Sequence, residues 1–192
     1  MAAYYYFAST LTTLFFDGSL PMSSAEFLEN ACRFVAKQDM ELLELATLRA
    51  PEPHTPEARK AENSLLLGSY FRWERALHNE LARLRAVRLK KQAEEYCRET
   101  EPEWNGQRTA GTMFAFENPL EAELFMEKER WQCISMLEVN QFFTIEFLIA
   151  YALKLQIMER IKQFKRELGE TNFNSLYQEV FHIAEETTVL EK

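Results

Sequence analysis

The feature that most restricts the fold of this chain is one long apolar stripe near its C-terminal end, Thr144–Gly169, TIEFLIAYALKLQIMERIKQFKRELG. Phe147, Leu148, Tyr151, Leu155, Met158, Ile161, Phe164 and Leu168 recur three or four apart, the spacing of one helix face. Thr144 can cap the start, and Glu146 in the first turn suits the unpaired N–H groups there. Lys162, Lys165 and Arg166 suit the carbonyl end, and Gly169 can take the conformation that stops a helix. A helix of this length with a continuous apolar face needs other helices or a partner to cover it. The rest of the chain is therefore expected to be arranged around it.

Composition agrees with that expectation. The 192 residues are 47% hydrophobic with only five Gly and six Pro, which excludes a disordered or fibrous chain. Few turn-formers and much Leu, Glu, Ala and Lys favour an all-α fold of antiparallel helix hairpins in a bundle. One helical domain is expected over 1–192, made of an N-terminal segment (residues 1–50), a Pro-rich linker (51–60) and a long-helix and C-terminal segment (61–192). The net charge of −8 argues against a general nucleic-acid binder, though not against a local basic stripe. Cys32, Cys97 and Cys133 form no CxxC pair and read as reduced thiols of a cytosolic protein. The apolar N-terminus has three Tyr in a row and no basic start, unlike a signal peptide. No window of about twenty residues lacks charge, so no membrane span is expected.

Along the chain, residues 4–16 read as helix or mixed extended structure, followed by the Asp17-Gly18 turn. Ser23-x-x-Glu26 is a capping box that opens a helix over about 24–36, burying Phe27, Leu28, Ala31, Phe34 and Val35. Asp39 is the expected cap of a short helix from Met40 to about Arg49. Three prolines in PEPHTPEARK (51–60) predict a linker without helix. One long helix is expected from about Glu62 to Arg98, roughly 50 Å at 1.5 Å per residue. Its seam is Leu66, Tyr70, Trp73, Leu77, Leu81, Leu84 and Val87. The stretch TEPEWNGQRTAGTMFAFE reads as a loop, long enough to hold a contact tip at Trp104–Thr112, though a plain connection is its simpler reading. Asn118-Pro119-Leu120-Glu121 starts a helix to about Leu137, with Leu120, Leu124, Trp131, Ile134 and Leu137 inward. A last helix is expected from Thr171.

No catalytic motif stands out. Glu179-x-x-His182 is half of a di-iron carboxylate pattern, but His54 and His78 do not supply the other half. The polar edge of a helix is its simpler reading. There is no glycine-rich phosphate loop, GxSxG or HExxH, and nothing ties a cysteine to a base. Arg72, Arg75, Arg83, Arg85, Arg88, Lys90 and Lys91 could grip phosphates or an acidic partner; a solvated face around the apolar seam is the simpler reading.

Two stretches carry a resemblance. FLIAYALKLQIMERIKQFKRELGETNFNSLYQEV (147–180) resembles the C-terminal helical repeat of the C-type (or d-type) subunit of V-type and A-type ATPases. The N-terminal YYYFASTL, followed by a turn and SSAEFLENACRFV, resembles a small protein encoded alongside bacterial V-type ATPase subunits. The resemblance covers both ends of the chain and leaves residues 50–140 unmatched; the chain is also much shorter than the three-lobed C-type subunit. It implies one or two lobes of that fold and a non-enzymatic stalk subunit or an accessory or assembly protein. Such a component links the rotor stalk to the proteolipid ring, is cytoplasmic, and reaches the membrane only through its partners. It implies no cofactor, and it puts partner contact on the central and last helices, at Tyr151, Lys154, Met158 and Arg160. Two alternatives stand beside it: a free-standing helical adaptor that docks a partner helix on the 66–87 seam, and a metal-binding bundle built on Glu179 and His182.

Overall fold

A computed structural model describes residues 4–93, 95–98 and 106–164. Among these the protein is all-helical. Eight helices follow one another: α1 (Tyr5–Thr10), α2 (Ser24–Ala31), α3 (Lys37–Glu44), α4 (Pro56–Ala61), α5 (Leu65–Arg88), α6 (Gln107–Ala115), α7 (Pro119–Leu137) and α8 (Ile145–Gln163). The chain divides into two compact units, Met1–Glu159 and Arg160–Lys192. Of the second, only the end of α8 and Phe164 lie within the described residues. The expected stop at Gly169, the helix from Thr171 and the Glu179–His182 pair lie outside them.

α8 is the post of the first unit. Thr144 Oγ1 accepts from the Phe147 N–H at 3.4 Å, as its capping role requires. The buried surface is wider than one stripe, since Ile149, Ala150, Ala152, Leu153 and Ile157 are buried along with Leu148, Tyr151, Leu155 and Met158. A helix buried on all sides must be surrounded, and polar groups on α8 show what surrounds it. Glu146, expected to serve the start of its own helix, instead accepts from Ser64 Oγ (2.6 Å) and from the N–H groups of Leu65 and Leu66 (both 3.1 Å). It thus satisfies the start of α5, where unpaired donors and the helix dipole favour a carboxylate. Glu159 does the same for α2, accepting from Ser24 N–H and Ser24 Oγ at 2.7 Å each. Gln156 holds the chain between α3 and α4, donating to the Ala46 carbonyl (2.6 Å) and accepting from Leu48 N–H (3.3 Å).

The second packing centre joins α5, α6 and α7. Leu77, Leu81, Ala110, Met113 and Met126 form a buried cluster, with Trp73, Leu84 and Phe125 against it. The expected seam is thus spent inside the chain from Leu66 to Leu81, and only Val87 at its far end is widely exposed.

Several boundaries differ from those expected. The 51–60 linker contains α4, because only Pro56 enters the helix and it stands in the first turn. There a missing N–H costs nothing, and Thr55 Oγ1 caps Ala58 N–H at 3.2 Å. α2 stops at Ala31, and α3 begins at Lys37 rather than Met40. Asp39 therefore lies within α3, where it accepts the Tyr4 hydroxyl instead of capping. α5 is 24 residues, about 36 Å, and ends at Arg88. Its stop is made by Lys90 in the left-handed region (φ 54°), with Lys91 N–H bonded back to Ala86 C=O at 2.9 Å. α6 occupies a stretch of the expected loop; burial of Ala110 and Met113 against α5 outweighs the weak local helix preference of Gly111 and Thr112. The inward face of α7 is rotated from the expected one: Ile134 is buried as expected and Leu124, Trp131 and Leu137 are half-buried, but Leu120 is exposed and Met126, Glu127, Arg130 and Cys133 complete the buried side.

Candidate functional site

Of the four residues expected to meet a partner, two are consumed by the fold. Tyr151 is buried, makes a tilted ring contact with Phe27 (centroids 5.2 Å) and donates its hydroxyl to the Thr12 carbonyl at 3.1 Å. Met158 is buried as well. Lys154 is half-buried, bonded to the Glu138 carboxylate, with its ammonium 5.3 Å from the centre of the Trp131 ring. Arg160 is exposed and lies over the ring of Phe164 at 5.4 Å.

The described surface most suited to contact is instead aromatic. It is built by α1 and by the turn between α7 and α8. Tyr4, Phe7 and Ala8 anchor α1 inward, and Phe7 stacks on Phe27 at 5.6 Å. This fixes the opposite side of the short helix outward, and Tyr5 and Tyr6 remain 64% and 70% exposed. Tyr6 meets Phe34 (5.5 Å), and Tyr5 meets Phe143 (4.9 Å). Phe142 beside it is 71% exposed. The turn that presents Phe142 and Phe143 is strained. Asn140 and Phe143 both have left-handed backbones, at φ 67° and 58°, and an aromatic residue rarely adopts that conformation. The Phe143 carbonyl is tied to α1 by the Tyr4 N–H at 2.6 Å. Tyr4 is itself held: its hydroxyl donates to Asp39 and accepts from Ala36 N–H. Burial, and next the bond to Asp39, push that phenol up to about 12, so it stays neutral. Contiguous exposed aromatics of this kind mark interaction surfaces on soluble folds.

The helical face that periodicity picks out in residues 4–16 begins with Tyr4, Phe7 and Ala8, which are the buried side of α1, but it also runs on to Phe15, which is exposed beyond the end of the helix. Phe142 and Phe143 were missed because they sit between helices, where spacing carries no information. A Phe-Phe pair in a turn was their one legible signal.

Glu74, Glu127 and Arg130 form a buried charged cluster, with His78 at its exposed edge. Arg130 donates from Nη2 and Nε to the two oxygens of Glu74 (2.6 and 3.3 Å) and from Nη1 to Glu127 at 2.6 Å. His78 Nε2 lies 2.9 Å from Glu74 Oε1. Burial would raise the Glu74 carboxyl, but the bonds from His78 and Arg130 and the guanidinium charge outweigh it and hold the pKa below the ordinary 4.5. Cys133, beside this cluster, is pushed up to about 12 by burial and then by the charges of Glu74 and Glu129, so it is a thiol and a poor nucleophile. The three cysteines are unbridged. Among the described residues no three His, Cys, Asp or Glu side chains gather as a metal site, and no helix is long and apolar enough to cross a membrane. Comparison of the chain with protein-family models, with curated proteins and with solved structures returns no match.

Proposed function

We propose that this protein is a non-enzymatic helical subunit, or an accessory or assembly protein, of a V/A-type ATPase, working between the central stalk and the proteolipid ring. The observation that supports this reading is that residues 147–159 of the second resembling stretch pack against the N-terminal one within the first unit. Phe7 stacks on Phe27, both from the N-terminal stretch, Phe27 makes a tilted ring contact with Tyr151 of α8, and Ser24 at the start of α2 is bonded to Glu159. A helical block with internally satisfied helix ends has the stiffness that transmitting force or holding a spacing requires. In this reading the protein has no cofactor, is cytoplasmic and reaches the membrane through its partners. The contact role moves from Tyr151 and Met158, which are buried, to the exposed Tyr5, Tyr6, Phe142 and Phe143.

Affinity purification of the native protein from its own cells tests this. Stalk or proteolipid subunits should co-purify. A clean preparation without any ATPase subunit would overturn the proposal.

A further inference from the structure

The outer side of α5 borders a cavity of about 220 Å³ that plays no role in the reading above. Arg75, His78 and Arg85 line it from α5, where spacings of three and seven put them on one face. Arg49 enters from the chain before α4, and Tyr96 and Arg98 from the strap after α5. Four guanidinium groups therefore border one small recess in a chain of net charge −8. The one carboxylate in the lining, Glu74, is engaged from behind by Arg130, whose guanidinium it shares with Glu127. Arg98 is paired with Glu52 at 2.7 Å, and among the described residues no ion pair engages Arg49, Arg75 or Arg85.

The backbone that carries these groups is pinned. Asn79 clips the strap to α5 in both directions, accepting from Arg98 N–H (2.9 Å) and donating to the Arg98 carbonyl (2.7 Å). Next to Arg49, the Leu48 carbonyl accepts from the Tyr70 hydroxyl at 2.9 Å, and its N–H is held by Gln156. Arginines crowded on fixed backbone repel one another, and an anion bound among them relieves that repulsion. Guanidinium groups match the oxygens of a phosphoryl group in pairs. The recess is smaller than the roughly 300–1,000 Å³ of drug-sized sites, so a compact ligand fits it.

We propose that this cavity is a binding site for a small anion bearing one or two phosphoryl groups. The phosphoryl oxygens engage Arg75, Arg85 and Arg49, with Arg98 closing the site from the strap. Arg83, exposed on the same helix and paired with Glu80, lies outside the lining and fits the solvated-face account.

The test is calorimetric titration of the full chain with sodium pyrophosphate, and separately with ADP, at matched ionic strength. One saturable site is expected. Arg75→Ala and Arg85→Ala should each weaken it roughly tenfold or more, and Arg83→Ala on the same helix should leave it unchanged. If Arg75→Ala loses its helical circular dichroism, the exposed Arg85 and Arg49 carry the comparison. ADP binding tighter than pyrophosphate, with the gain lost in Tyr96→Ala, identifies a nucleotide; equal binding identifies a free phosphate. No saturable heat with either probe, or equal weakening by Arg83→Ala, overturns the proposal. The outcome is independent of whether ATPase subunits co-purify.

Discussion

Glu146 shows how much one side chain can hold here. It is buried and closes three donors at the start of α5, two of them backbone N–H groups. Glu146→Ala should cost about 2–4 kcal/mol in chemical denaturation, the loss of a cap plus orphaned buried donors. Gly106 is a second such position. A Cβ there would lie 2.9 Å from Leu77 Cα, which is backbone and cannot swing aside. Gly106→Ala should therefore destabilise by roughly 1–3 kcal/mol, read as a lower denaturation midpoint. Lys90 predicts the opposite sign: exposed and left-handed, it should gain about 0.5–1 kcal/mol as Lys90→Gly. Sequence pointed to Glu146 as a helix-start carboxylate but to the wrong helix, because only the fold brings the start of α5 to it.

At the scale of elements, α5 and α7 are joined by a buried ion cluster as well as by apolar packing. Arg130→Met would leave Glu74 and Glu127 buried without their cation, at a cost of about 3–5 kcal/mol near neutral pH. The pH dependence has a definite sign. The folded pKa of Glu74 is lowered, so its contribution is present above the ordinary 4.5 and is lost as pH falls through the lowered value. In Arg130→Met the carboxyl instead protonates readily. The stability gap between the two proteins should therefore narrow on acidification, measured by urea unfolding at pH 7 and at about pH 4. Hydrophobic periodicity predicted α7 itself, from the Asn118-Pro119 start to Leu137, but of its buried face only Ile134. A face whose centre is Arg130 and Glu127 is invisible to a count of apolar residues.

For the molecule as a whole, the aromatic face should matter to partners and not to folding. Tyr6→Ser and Phe142→Ser should leave the melting temperature nearly unchanged, because both rings are mostly exposed, while recovery of co-purifying subunits falls. A large loss of stability in both variants would show that these rings serve the core instead. The all-helical class and the organising role of α8 were written in the sequence, since apolar spacing, caps and a shortage of turn residues are local and survive without coordinates. The start of α5, the helix at Gln107, and the gathering of Arg49, Arg75, Arg85 and Arg98 were decided by tertiary structure. Each depends on residues far apart in the chain: Glu146 reaching Ser64, Gly106 against Leu77, Asn79 holding Arg98. Local pattern sets which segments can be helices, and long-range packing and charge pairing set what they face.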